Sequence, residues 1–384
     1  MTTREMTMRL VVPNLGYDAG WRVDQHPRFP ADVTGNGCAD IVGFGNAGVW
    51  VALNDGDGTF LAPQLVVSDF GYDAGWRVDQ HPRFLADVTG DGCADIVGFG
   101  NAGVWVALSN GDGTFQSPQM VVPHFQWSVE RPRLLADVTG AGRADIVGFG
   151  KSGVEVALSN GDGTFQNPQL VVMNFGSDNG WQVDRHPRFL ADVTSNGCAD
   201  IVGFGNAGVW VARNTYNVTF QSPQMVVPNF GYDAGGWRVD RHPRFLADVT
   251  GAGRADIVGF GNAGVMVALS NGNGTFQAPQ RVVYDFGYDN GWRVDKHPRF
   301  LADVTGDGRA DIVGFGNAGV MVALSNGDGT FQTPPKSLTY FSYEPAGWRV
   351  EKHPRFLADV TGDGRAEIVG FGGPGVWVAF DWWV

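Results

Sequence analysis

The stretch "PRFLADVTGDGCADIVGFGNAGVWVALSNGDGTFQSPQMVV", residues 82–122, decides the fold. Its apolar runs, "RFLADV", "ADIVGF", "GVWVAL" and "PQMVV", are short and rich in β-branched and aromatic residues. Between them stand "TGDG", "GNAG" and "SNGDGT", which are turn signals for hairpins. No segment carries a 3.6-residue apolar period, so the unit reads as four antiparallel strands. The tetrapeptide "ADVT" begins at Ala31, Ala86, Ala136, Ala191, Ala247, Ala302 and Ala358, in steps of 55, 50, 55, 56, 55 and 56 residues. Seven units fill residues 1–384, so the expectation is a single all-β domain, a seven-bladed β-propeller of four-stranded blades. "MRLVVPN" (8–14) matches the fourth strand "PQMVVPH" (118–124), and the last unit stops after its third strand, "GVWVAF" (375–380). The N-terminal strand is therefore expected to complete the last blade and close the ring without an open edge.

Composition narrows the function classes. With 43% apolar residues, 57 Gly and 13 Trp, the chain reads as globular, with many tight turns and many aromatic packing or stacking positions. A formal charge of −13 argues against nucleic acid as a partner, because phosphate backbones need a basic face. No run of 18 apolar residues exists to insert in a membrane as a helix. The start "MTTREMTMRL" lacks the apolar core of a secretory signal, which predicts a cytoplasmic protein or one released without the usual export route. The sequons at Asn217 and Asn273 then carry little weight. Cys38, Cys93 and Cys198 share one slot that holds Arg143, Arg254, Arg309 or Arg365 in other copies. Equivalent slots do not meet, so free thiols are expected, and no Cys/His zinc spacing is present.

An up-and-down blade sorts its loops by parity. The turn "GNAG" and the long link to the next blade fall on one face, and "DVTGDG" and "SNGDGT" on the other. The link is heavily furnished: "GYDAGWRVDQHPRF" occurs at 16–29 and again at 71–84. The repeats "DVTGDGRADIVGFG" resemble the FG-GAP units of integrin-like propellers. Together with the "GWRVDxHPRF" links, the chain resembles the fungal lectins typified by Psathyrella velutina lectin. That resemblance implies non-reducing terminal N-acetylglucosamine bound in pockets between consecutive blades, with a Tyr and a His packed on the sugar. It further implies sialylated glycans and calcium as ligands of some members. Residue by residue, the His falls on His26, His81, His186, His242, His297 and His353, and the Tyr on Tyr17, Tyr72, Tyr232, Tyr288 and Tyr343.

The seven copies can also be read against one another. The Arg of "PRF" (Arg28, Arg83, Arg133, Arg188, Arg244, Arg299, Arg355) and the link Trp (Trp21, Trp76, Trp127, Trp181, Trp237, Trp292, Trp348) occur in all, which points to packing or salt-bridging roles. The third link, "PHFQWSVERPRL" (123–134), is five residues shorter and lacks the "GYDAG" segment with its Tyr and the His before Pro, with Ser128 in the Arg slot and Lys151 in the turn. This joint loss reads as a binding pocket abandoned between two blades, leaving six sites. The fourth copy has Ser177 and Gln182 for Tyr and Arg, which predicts weak or absent binding; the seventh has Glu351 and Gly373 for Asp and Asn. A pyranose offers apolar C–H faces and a girdle of hydroxyls, so aromatic walls with polar side chains around them suit it. Arg22, Arg77, Arg238, Arg293 and Arg349 are candidate donors. Asp24, Asp79, Asp184, Asp240 and Asp295 are candidate acceptors, or partners of a neighbouring Arg. Asn46, Asn101, Asn206, Asn262 and Asn317 complete the candidate set.

The loop "DVTGDGxAD" spaces oxygens as a calcium loop does, complete in Asp87, Asp91 and Asp95, in Asp303, Asp307 and Asp311, and in Asp359, Asp363 and Glu367. Ala141 and Ala252 break it in two copies, and turns in which Asp accepts backbone N–H groups are the competing reading. Structural calcium is expected at most, on the face opposite the sugar sites, and no cofactor is required. An enzyme is the rival class, but its single site of unlike residues does not match a set recurring six times, and no lone nucleophile or carboxylate dyad stands out. An integrin-like protein-interaction scaffold is the other alternative.

Overall fold

The computed structural model describes residues 7–123, 131–216, 218–334 and 336–382. Trp127, Ser128 and Asn217 lie outside the described residues. The described chain forms seven four-stranded antiparallel sheets, the blades of a β-propeller, and its one helical piece is the 3-10 turn Ser177–Asn179. Blade two shows the common pattern: Arg83–Ala86, Asp95–Phe99, Gly103–Ala107 and Gln119–Pro123, from the axis to the rim. Blade seven consists of Arg355–Ala358, Glu367–Phe371 and Val376–Phe380, with Thr7–Val12 as its fourth strand. Thr7 pairs with Phe380 and Val12 with Val376, so the ring closes as the sequence predicts.

The second strand explains the architecture. In "DIVGF" every residue is buried, because both faces of an inner strand meet a neighbouring blade. Val42 and Phe44 of blade one pack with Ile96 and Ala107 of blade two, and Phe70 and Trp76 of the link close that cluster. The glycine of the run is required by space: a Cβ on Gly98 would lie 2.6 Å from both Phe70 and Trp76. Backbone belts tie the blades on the far face, where Ala94 N–H donates to Asp32 O at 2.8 Å and Ser109 Oγ donates to Val33 O at 2.6 Å.

The universal arginine is a packing residue. Arg28, Arg83, Arg188, Arg244, Arg299 and Arg355 are buried and donate Nη1 to the carbonyls of Leu15, Phe70, Phe175, Phe230, Phe286 and Phe341. Each guanidinium lies 5.4–5.5 Å from the centroid of a phenyl ring of the preceding blade. The receiving residues sit at positive φ, 59° at Phe70, a conformation that a bulky side chain adopts only when its surroundings enforce it. Here the enforcement is local: Asp69 Oδ1 accepts both the Phe70 amide hydrogen and the Trp76 indole N–H, the latter at 3.0 Å.

Candidate functional site

Each described link first crosses the turn of the blade it leaves, then reaches the turn of the blade it enters. Tyr72 N–H donates to Gly45 O and Asp73 N–H to Asn46 O, both at 3.0 Å, so the second link is stapled over the turn of blade one. Its His81 then meets Asn101, on the turn of blade two, at 2.9 Å. The link and the "GNAG" turns thus share one face, as loop parity requires.

The histidine is a strap with both nitrogens committed. His26 Nδ1 accepts the Arg22 amide hydrogen at 3.1 Å, which puts the ring proton on Nε2, and Nε2–H donates to Asn46 Oδ1 at 2.8 Å. His81, His186 and His242 repeat the arrangement with Asn101, Asn206 and Asn262. Burial pushes the imidazoles of His26, His186 and His242 below the ordinary histidine range, and that of His297 down to about 4. His297 Nε2 is buried without a partner, and His353 faces Gly373 where the other turns have Asn. Because Oδ1 of Asn46 takes the histidine proton, its amide NH2 is left to point outward from an exposed turn.

Tyr and Arg form a second couple within five of the links. The Arg22 guanidinium lies 3.9 Å over the Tyr17 ring, and its Nη1 donates to the carbonyls of Tyr17 and Trp21. Arg77, Arg238, Arg293 and Arg349 cover Tyr72, Tyr232, Tyr288 and Tyr343 at 3.6–3.8 Å. Between links, each Tyr ring meets the His of the preceding link: Tyr72 with His26, Tyr232 with His186, Tyr288 with His242, Tyr343 with His297 and Tyr17 with His353, at centroid distances of 5.8–6.4 Å. The repeat-by-repeat grouping of the sequence reading is corrected here, since Tyr and His of one link belong to successive blades. His186 therefore has a Tyr partner despite Ser177, whereas the link that faces His81 has no Tyr in its sequence.

Beside the strap lies a well. At blade one it has a volume of about 240 Å³ and is lined by Asn14, Ala19, Gly20, Trp21, His26, Gly45, Asn46, Ala47 and Trp50. Blades two and six carry counterparts of about 210 and 220 Å³, with Asp69, Trp76, His81, Asn101 and Trp105 in one and Asp285, Trp292, His297, Asn317 and Met321 in the other. Gly45 leaves room between two indoles: a Cβ there would lie 3.0 Å from Trp21 and 3.2 Å from Trp50. Aromatic faces thus form the walls, while the strap-oriented Asn and the Asn14/Asp69/Asp285 position supply polar atoms at the mouth.

The candidate residues separate accordingly. The histidines and asparagines are brought into the wells. Tyr and Arg stand behind the strap and are not among the lining residues of the wells at blades one, two and six. Asp24, Asp79, Asp184, Asp240 and Asp295 are exposed and line none of those wells. Asp184 and Asp240 lie 4.0 and 3.8 Å from the adjacent Arg185 and Arg241, contacts that contribute little at such exposure. Sequence reasoning missed the third-strand position Trp50, Trp105, Trp210, Met266, Met321 and Trp377, which is Glu155 in blade three. The signal was available, because a charge replaces a large apolar side chain only in the copy that also lacks His and Asn.

The acidic loops do not gather a metal site. Asp87 accepts the amide hydrogens of Thr89, Gly90 and Gly92, and Asp95 those of Val88 and Ser109. Asp303 and Asp311 do the same with Thr305, Gly306 and Gly308 and with Val304 and Ser325, while Asp91 caps Cys93 and Asp307 pairs with Arg309. Among the described residues no group of three or more His, Cys, Asp or Glu is placed to hold a metal ion, and as arranged these donors do not fit calcium. Cys38, Cys93 and Cys198 are free and buried. No helix among the described residues is long and apolar enough to cross a membrane.

Comparison with known proteins bears on this geometry. The FG-GAP-like repeat family model matches residues 303–370. A solved structure concerned with specific recognition of non-reducing terminal N-acetylglucosamine by an Agrocybe aegerita lectin is 48% identical, covers 90% of this chain and 88% of that one, and superposes with a TM-score of 0.87. A Photorhabdus luminescens Tc holotoxin pore, 17% identical over 90% of this chain and 16% of its own, shares the fold alone at a TM-score of 0.52. Comparison with curated protein sequences gives no match. At 48% identity over nine-tenths of its length, the chain belongs to the family of β-propeller lectins that contains the Agrocybe aegerita lectin.

Proposed function

We propose that the chain is a multivalent lectin that binds non-reducing terminal N-acetylglucosamine in wells beside the "GNAG" turns. The observation that carries this reading is the recurrence around one face of wells with the link indole as one wall, Trp or Met as the other and a polar mouth, in a relative of a lectin for that sugar. The link Trp and the third-strand Trp or Met offer apolar faces to the C–H faces of the pyranose. The turn Asn, aligned by the His strap, presents its amide NH2 to a hydroxyl or acetamido oxygen, and Asn14 and its counterparts accept from hydroxyls. Arg and Tyr hold the strap from behind. Six links keep the histidine; that of blade three, with Lys151 and Glu155 in the blade, is the one without it before Pro.

The protein binds without cleaving. A site repeated six times around a rim, with its imidazoles already hydrogen-bonded or buried, offers no poised acid and base. We expect retention on immobilised N-acetylglucosamine, elution by the free sugar, and no release of cleaved products. Absence of retention would overturn the reading. Trp50→Glu, which copies blade three into blade one, is expected to lower the calorimetric stoichiometry by one site without changing the melting temperature by more than a few degrees. A glycan array with sialylated members tests the second ligand class named above.

A further inference from the structure

The well of blade seven departs from the others in ways that change what it can hold. Its volume is about 430 Å³, against about 240, 210 and 220 Å³ at blades one, two and six. Three substitutions and an extra residue in the link set it apart. Gly373 stands where the other turns carry Asn, so no amide projects into the space. Pro374 replaces the alanine beside it. Tyr340, 48% exposed, takes the place of Asn14, Asp69 and Asp285, exchanging a small polar group at the mouth for an aromatic ring. Met8 and Pro345 add apolar lining to that of Tyr340, Trp348 and Trp377.

The polar groups differ as well. Among the described residues His353 Nε2 has no hydrogen-bond partner, while Nδ1 still accepts the Arg349 amide hydrogen at 3.2 Å. The ring is less buried than its counterparts and is therefore free to donate into the well. The Asp18 carboxylate leans over the bare turn, since a Cβ on Gly373 would lie 2.7 Å from its Oδ2. The well thus offers one N–H donor from His353, the Asp18 carboxylate beside its Gly373 turn, and two separate aromatic platforms, indoles within and a phenol at the mouth.

We propose that blade seven holds a distinct class of site, shaped for a disaccharide of N-acetylated hexoses rather than for a single terminal residue. The inner ring sits against Trp348 and Trp377, with its hydroxyls on Asp18 and His353, and the second ring stacks on Tyr340. This inference rests on the lectin reading above. Stacking of one further ring contributes enough for about a tenfold gain in affinity at this site.

Titration calorimetry with N-acetylglucosamine and with N,N′-diacetylchitobiose tests it. The disaccharide is expected to show one site per chain bound about tenfold more tightly than the rest, a class absent from the monosaccharide titration. Gly373→Asn restores the side chain of the other copies, at a position outside the left-handed region of φ, and is expected to abolish the tight class. Tyr340→Ala alters only an exposed side chain and is expected to do the same. A single affinity class for the disaccharide, or a tight class that survives both substitutions, overturns the proposal while leaving the lectin reading intact. Absence of heat with either sugar overturns both.

Discussion

At the scale of single residues, losses that coincide in the sequence turn out to be contacts. Blade three lacks both His and Asn, the two ends of one hydrogen bond, and the fourth link lacks both Tyr and Arg, the two layers of one stack. Internal comparison singled out these residues by their joint loss, but a sequence does not show that the side chains lost together touch one another. Glu155 is the better evidence for the well, since its position contacts neither couple's partner in sequence and instead forms the second wall. The strap makes a pH prediction. Burial holds His242 below the unfolded value of 6.5, with Arg244 and Arg241 acting in the same sense, against the Asn262 hydrogen bond and Asp240. The unfolded chain therefore takes up a proton first, and the stability this residue contributes is present above pH 6.5 and lost as pH falls below it. His242→Gln keeps a donor and an acceptor but never titrates. We expect it to cost about 1–3 kcal/mol at pH 7 in urea melts, with the gap to the unaltered protein narrowing between pH 7 and pH 5. A gap independent of pH would contradict the assigned strap.

At the scale of elements, strand order, turns and ring closure were legible because each follows from local pattern. Short β-rich apolar runs, glycine-rich hairpins and the orphan N-terminal strand leave few alternatives. Strand ends were less legible. "RFLADV" reads as one run, but the strand stops at Ala86 because Asp87 turns its carboxylate onto the amides of Thr89, Gly90 and Gly92. The same competition bears on the metal reading: aspartates spaced like calcium ligands accept backbone N–H groups, the alternative the spacing also allowed. The second strand opens with the most constrained of them. Asp200 is fully buried, accepts the Val193 and Asn214 amide hydrogens at 2.9 and 2.7 Å, and is pushed up to about 6, chiefly by burial. Here the sign is opposite to that of the strap. The folded chain binds the proton more readily than the unfolded one, so stability contributed by this group grows as pH falls from about 6 towards 4 and is lost as pH rises through that window. Asp200→Asn is neutral throughout and cannot gain in this way. The stability difference between the unaltered protein and this variant is expected to widen from pH 7 to pH 4.5 in denaturant titrations, and a difference that shrinks would refute the buried ionisable role.

At the scale of the whole molecule, closure of the ring fixes how the wells are presented. The N-terminal strand pairs along the edge of Val376–Phe380 and leaves that blade's edge no more open than the other six. Because the described links and the turns between second and third strands lie on the same face, the wells open around one rim and address one surface at a time. Each well is small, roughly the size of one sugar, and open to water, so affinity for a free monosaccharide is limited by the few contacts available. Several such wells on one rigid ring convert later binding events into intramolecular ones, for which gains of about 10²–10⁴ are ordinary when the spacing of ligands matches that of the sites. The expected outcome is a steep dependence on ligand density. On sensor surfaces of increasing N-acetylglucosamine density, the dissociation rate should fall by at least about 100-fold, while the association rate changes little. A variant carrying Trp50→Glu and Trp210→Glu together removes two indole walls from the ring. It should lose most of the gain at high density yet bind free sugar at its remaining wells with unchanged affinity. A dissociation rate that does not respond to density would mean that the wells act singly, and the one-faced arrangement of the links would then have no part in binding.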